Sequence, residues 1–110
     1  MYFMYATVER GVDPQSLFDA LGDPTRRRLF ERLVPQEMTV GALATDGRVS
    51  QPAASHHLRI LREAGLVRER RDGRRRWYRA NAEGVAILAR YLDQLREAIV
   101  ATQALPPAGG

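Results

Sequence analysis

A chain of 110 residues with 45% hydrophobic and 27% charged side chains has the make-up of one folded unit and excludes wholesale disorder. Its 17 basic residues, all arginine, outnumber 13 acids and leave a net charge of +4, which suits an acidic polymer as partner. The absence of cysteine excludes disulfides, thiol catalysis, thiolate redox sensing and cysteine-based metal sites together.

The chain reads as a single domain over 1–110, with a core of about 14–102. Residues 1–13 are expected to form an N-terminal extension and 103–110 a frayed tail. Met1–Val8 is apolar but short and has no basic leader, so it makes a poor signal peptide. It either covers apolar surface on a partner or is bypassed by a start at Met4. No run approaches the ~18 apolar residues of a membrane span. A cytoplasmic protein with no membrane partner is expected.

Asp13-Pro14 and Asp23-Pro24 each place a capping carboxylate before a proline at the first helical position. The first predicts a helix over 14–21 with Leu17, Phe18 and Leu21 on one face. The second predicts a helix from 24 to about 34, with Leu29, Phe30 and Leu33 ringed by Arg26, Arg27, Arg28 and Arg32, and Pro35 ends it. Thr39 caps a third short helix, Val40 to about Thr45, and Asp46-Gly47-Arg48 supplies turn chemistry.

Ser50 caps a fourth helix, Gln51 to about Ala64, which Gly65 stops in a left-handed conformation. Ala54, Leu58 and Leu61 recur at i, i+4 and i+7 as its buried stripe. The opposite arc holds Gln51, Ser55, His56, Arg59 and Arg62. Two short helices joined by a tight glycine-containing turn form a helix-turn-helix, with the second as recognition helix.

After Gly65 the period changes. Residues 66–71 and 74–80 flank Asp72-Gly73, a strong hairpin signal that favours a type I′ turn. A two-stranded hairpin is marginal alone, so Val67 and Tyr78 are expected to pack it on the helices. Asn81 then caps a last helix to about Thr102. Leu88, Leu92, Leu95 and Ile99 recur at +4, +3 and +4, widened by Ile87, Tyr91 and Ala98. So wide an apolar band at a chain end is expected to face a second copy. The predicted fold is mainly α with a small β-hairpin: a winged helix-turn-helix of about five helices and a two-stranded wing.

Residues 66–80 hold seven of the 17 arginines against two acids, Glu69 and Asp72. Charge of this density also occurs as a solvated guard on edge strands. Placed directly after a helix-turn-helix, Arg71, Arg74, Arg75 and Arg76 are the candidates for gripping phosphates or a narrow minor groove. On the recognition helix Gln51 suits adenine, Arg59 guanine, Ser55 a base edge or phosphate, and His56 either. A plain solvated helix face would look much the same. His57 lies near the core stripe and is expected to be structural.

Two adjacent histidines point about 100° apart on a helix and cannot readily share one ion. With no further histidine and no H-E-x-x-H pattern, neither a metal nor a cofactor is expected. There is no P-loop, no G-x-G-x-x-G and no G-x-S-x-G, and the acids are scattered as caps and surface charges. No enzyme activity is expected.

Leu17-Phe-Asp-Ala-Leu-Gly-Asp-Pro-Thr-Arg-Arg-Arg-Leu-Phe30 resembles the opening of ArsR/SmtB-type regulators. So does Ser50-Gln-Pro-Ala-Ala-Ser-His-His-Leu-Arg-Ile-Leu-Arg-Glu-Ala-Gly-Leu-Val67, followed by Asp72-Gly-Arg and Trp77-Tyr-Arg. The resemblance covers about residues 15–100. It implies a winged-helix homodimer that represses by occupying a palindromic operator in double-stranded DNA. It also implies dimer contacts from the first and last helices, here Leu17, Leu21, Leu88, Tyr91, Leu92, Leu95 and Ile99. Metal-sensing members carry a Cys-x-Cys pair where this chain has Thr39 and Gly41, or histidines on a last helix that here, over 82–102, has none. The resemblance therefore implies a regulator without the metal or thiol switch. A small-molecule effector between the dimer helices, or control by expression level alone, both stay open. One alternative is a winged-helix module for protein contact, its hairpin arginines gripping an acidic partner. Another keeps DNA binding in an activator or architectural protein.

Overall fold

A computed structural model of the chain describes residues 12–104. The expectations for Met1–Val8, for most of the N-terminal extension and for the tail from 105 onward lie outside the described residues.

Helices α1 (Pro14–Gly22) and α2 (Pro24–Leu33) begin where the Asp-Pro pairs put them. The Asp13 carboxylate accepts the Ser16 N–H at 2.9 Å, and Asp23 accepts that of Arg26 at 2.8 Å. Each bond satisfies a donor that the first helical turn leaves without an intrahelical partner. After Pro35 the chain runs through β1 (Met38–Thr39) into α3 (Val40–Gly47), capped by Thr39 Oγ1 on the Ala42 N–H at 3.2 Å. α4 (Gln51–Glu63) is capped by Ser50 Oγ on the Ala53 N–H at 3.1 Å, and Gly65 takes φ +90° beyond its end. Strands β2 (Val67–Asp72) and β3 (Arg75–Ala80) make the wing, and α5 (Ala82–Ala104) follows.

Four local expectations are corrected. The sheet has three strands in the order β1-β3-β2, with Met38 opposite Tyr78 and Thr39 opposite Trp77. β1 pairs with the edge of β3, which a two-stranded wing would leave with unpaired backbone groups. In the wing turn, Asp72 pairs with Arg75, so Gly73 and Arg74 are the central residues. Only Gly73 has positive φ (63°), the pattern of a type II′ rather than a type I′ turn. Between α3 and α4 the left-handed residue is Arg48 (φ 56°), while Asp46 and Gly47 stay helical. Gly47 serves close packing, since a Cβ there would collide with the Leu29 side chain. Finally, Asn81 stands before α5 but its side chain turns to the strand: Nδ2 donates to the Gly65 carbonyl at 2.8 Å and Oδ1 accepts from Arg68 at 3.1 Å.

The core lies where α1, α2, α3 and α4 meet the base of the wing. Leu17, Leu29, Leu33, Leu43, Leu58, Leu61 and Leu66 are fully buried there. Val67 and Tyr78 close it from the sheet side, as expected, because strand partners alternate faces. Val67, Glu69 and Arg71 share the helix-facing side with Arg76, Tyr78 and Ala80. Arg68, Arg70 and Asp72 share the other with Arg75, Trp77 and Arg79.

The 23-residue α5 packs on α1, with Phe18 and Tyr91 meeting edge to face at 5.8 Å. Of the residues expected on a dimer face, Leu17 and Leu88 are turned into the protomer's own core instead. Their burial beneath the α1–α5 contact leaves them no surface to offer. Leu21, Tyr91 and Leu95 are half-buried, while Leu92 and Ile99 are 50% and 56% exposed.

Candidate nucleic-acid interface

The arginines separate by what surrounds them. On α2, Arg26 Nε donates to the Ala20 carbonyl at 2.8 Å and Arg27 to that of Leu21 at 2.7 Å. Arg28 reaches the Gly47 carbonyl at 3.3 Å, and Arg32 pairs with Asp46 at 2.7 Å. Arg26, Arg27 and Arg28 thus fill carbonyls that the ends of α1 and α3 leave open, where the helix dipole favours a cation, while Arg32 meets a side-chain carboxylate.

On the wing, Arg68 is held by Asn81 and by Glu83 at 3.2 Å. Arg70 forks onto the Glu37 carboxylate at 2.5 and 3.1 Å and lies 5.4 Å from the Trp77 ring centre, a cation–π distance. The hydrogen bond from Arg70 holds the Glu37 carboxyl below its ordinary pKa against the opposing pull of burial. Arg76 stands 3.5 Å from Glu69. Arg71, Arg74 and Arg75 are exposed, and among the described residues they make no hydrogen bond or ion pair.

On α4 the side chains of Gln51, Ser55 and Arg59 are exposed four residues apart, hence on one face. Arg59 Nη2 lies 3.2 Å from His56 Nδ1. His57 differs: it is half-buried, with Arg26 Nη1 3.3 Å from its Nδ1. Burial lowers its pKa, opposed by the Asp23 carboxylate and reinforced by Arg26 and His56. It lies beside the core stripe, against Arg26 of α2.

An open groove of about 580 Å³ runs between these elements, lined by Thr39, Val40 and Gly41, by Gln51 and Ser55, and by Arg74, Arg75 and Arg76. Folding thus brings two recognition-helix candidates onto the same groove as three wing candidates. Ser50, His56, Arg59 and Arg71 stand outside its walls. The start of α3 was missed by sequence reasoning. Its cap residue was visible, but its place against the wing is a tertiary fact. The N–H groups there give the groove wall a partial positive charge. Arg48 was also missed. It is exposed and unpaired among the described residues, in a backbone conformation uncommon outside glycine and asparagine.

Thr39 and Gly41, the positions at which the resemblance implies cysteines in metal-sensing members, offer no thiolate. The Thr39 hydroxyl caps α3, and Gly41 offers no side chain. Among the described residues no three His, Cys, Asp or Glu side chains come together as a metal site needs.

Comparison with known proteins agrees with this architecture. A family described as a helix-turn-helix domain matches residues 21–70. The HTH-type transcriptional regulator Rv2034 of Mycobacterium tuberculosis is 44% identical over 81 residues, 74% of this chain and 76% of the relative. A transcriptional repressor SmtB homolog of Synechocystis sp. is 46% identical over 81 residues, 73% of this chain and 61% of the relative. Among solved structures, an ArsR-like transcriptional regulator from Rhodococcus sp. RHA1 superposes with a TM-score of 0.70 at 31% identity, covering 86% of this chain and 94% of its own. With the capped helix pair, the three-stranded wing and these matches, the chain belongs to the ArsR/SmtB-type winged helix-turn-helix family of DNA-binding transcriptional regulators.

Proposed function

We propose that the protein is a repressor that acts as a homodimer on a palindromic operator, with each α4 in a major groove and each wing tip on flanking backbone or minor groove. The observation that carries this reading is the trio of unpaired arginines at the wing tip, Arg71, Arg74 and Arg75, two of which, Arg74 and Arg75, share a groove with Gln51 and Ser55 of α4. Asp72 is the one acid among these cations and forms no ion pair with them, so the tip keeps a net positive charge for which phosphates supply the counter-charge. Gln51, Ser55, His56 and Arg59 read base edges. Ser50 Oγ accepts from Ala53, which leaves its proton free for a phosphate.

The dimer forms through α1 and α5, with Leu92 and Ile99 as exposed anchors flanked by Leu21, Tyr91 and Leu95. Large apolar side chains as exposed as Leu92 and Ile99 are costly in water. Half-sites then lie about one helical turn apart, ~10 bp centre to centre. The chain works as one domain in the cytoplasm and has no catalytic step. No described helix is long and apolar enough to cross a membrane. Any small-molecule effector seats between the dimer helices.

Selection of bound duplexes from a random library at two salt concentrations tests the proposal. An enriched palindrome with steep salt dependence is the expected result. No enriched motif, with weak binding that vanishes in salt, would overturn it in favour of a protein-contact module gripping an acidic partner.

A further inference from the structure

Between α4 and the wing tip sits one carboxylate that the functional reading leaves unused. Glu69 lies on the helix-facing side of β2, opposite Tyr78, with its side chain only 16% exposed. Its Oε1 accepts from Arg62 of α4 at 2.6 Å. Its Oε2 accepts from the Tyr78 hydroxyl at 3.1 Å and lies 3.5 Å from Arg76 Nε. One acid therefore holds a guanidinium from the helix and another from the wing.

The apolar packing of the wing stops at Tyr78. From Arg71 to Arg76 every residue is exposed, so two carboxylates tether the base of the tip: Glu37 holds Arg70 on the face away from the helices, and Glu69 is the tether on the helix-facing side. Burial alone would raise the Glu69 carboxyl, but the bonds from Tyr78 and Arg62 and the attraction of Arg62 and Arg76 outweigh it and keep it below the ordinary value. The ion is thus retained in a mostly buried place, where loss of either partner leaves a charge poorly matched.

We propose that Glu69 is a positioning residue that fixes the angle of the wing on α4, and through it the match between base reading and wing contact. The inference rests on the DNA-binding reading above. Freed of this tether, the wing tip meets phosphates at a range of spacings. Binding to arbitrary duplexes survives, while the advantage of the right sequence shrinks.

The test uses full-length Glu69→Gln and Arg62→Met, assayed on the duplex recovered by selection and on a scrambled duplex. Thermal melts by circular dichroism set the folded fraction. Glu69→Gln removes a negative charge, so affinity for the scrambled duplex rises. Arg62→Met removes a positive one, so that affinity falls. Both variants should lose about tenfold in the ratio of selected to scrambled affinity, the size of a coupling between contacting groups. If the arginines serve only as phosphate contacts, or the acid only as a neutraliser, affinity moves equally on both duplexes. An unchanged ratio in the folded variants overturns the proposal. Failure of both variants to fold also overturns it, by making the cluster a stability element. Wild-type protein that fails to discriminate the two duplexes would instead defeat the DNA-binding reading itself.

Discussion

α2 carries four arginines in ten residues and the wing tip carries four between 71 and 76, yet the two clusters are used in opposite ways. Three of the α2 guanidiniums bond carbonyls at the ends of α1 and α3, and the fourth, Arg32, pairs with Asp46. At the wing tip three of the four arginines, Arg71, Arg74 and Arg75, are left facing water. Local charge density therefore does not tell a paired arginine from an unpaired one; its place in the fold does. Arg76 marks the boundary, because one acid, Glu69, reaches it.

The strongest way to break this comparison is to neutralise the tip. Arg71→Gln/Arg74→Gln/Arg75→Gln should weaken binding to every duplex by on the order of a hundredfold or more at physiological salt. Stability should move by no more than about 0.5 kcal/mol, since these side chains touch nothing the fold needs. Gel-shift titration and a urea melt measure the two quantities. A large loss of stability would mean the tip is structural after all.

The reverse experiment is Arg26→Ala on α2. Hydrogen bonds from a charged donor to the Ala20 carbonyl and towards His57 disappear, at a cost of about 1–2 kcal/mol on denaturation. Affinity for DNA, corrected for folded protein, should stay within about twofold. Loss of affinity without loss of stability would place Arg26 with the wing arginines.

Arg59→Ala sharpens the contrast between reading and gripping. It should cost ~1–3 kcal/mol and relax preference at a single base-pair position. Arg74→Ala should weaken all sequences alike. Repeating the random-library selection with each variant distinguishes them, and equal losses on all DNA for both would remove the division of labour.

The smallest effect belongs to His57. Its folded pKa is lowered, first by burial, from the ordinary 6.5. Below that pH the unfolded chain therefore binds more protons than the folded one. The stability contributed by the neutral ring is complete above the unfolded value and drains away as pH falls through the folded one. Melting temperatures should drop between about pH 7 and about pH 5 more in wild type than in His57→Gln. Equal drops would show that the ring is not held neutral by the fold.

Much of this architecture was legible because its signals are local. The Asp-Pro caps, Ser50 with its stripe at 54, 58 and 61, and the arginine-rich hairpin each lie within one stretch of chain. What escaped was non-local. Two residues of β1 carry no period, and their strand state comes from the edge of β3 forty residues later. The turn shifted by one residue because strand register, not the Asp-Gly pair, placed Gly73 at its first central position. Asn81 resembles a cap in sequence, but Arg68 and the Gly65 carbonyl compete for it in space. In the site, Gln51, Ser55 and the wing arginines could be named from sequence. Their shared groove, and the separation of free from spent arginines, depend on contacts that no linear pattern encodes.

The most direct test of the central claim is the slope of log K against log salt on the selected duplex for wild type, the wing-tip triple variant and an Arg27→Gln control. The wing arginines should each release about one counterion, so the triple variant's slope should be shallower by roughly 2.7 per protomer while the control keeps the wild-type slope. An unchanged slope in the triple variant, or an equal change in the control, would contradict the assignment of the unpaired arginines to DNA.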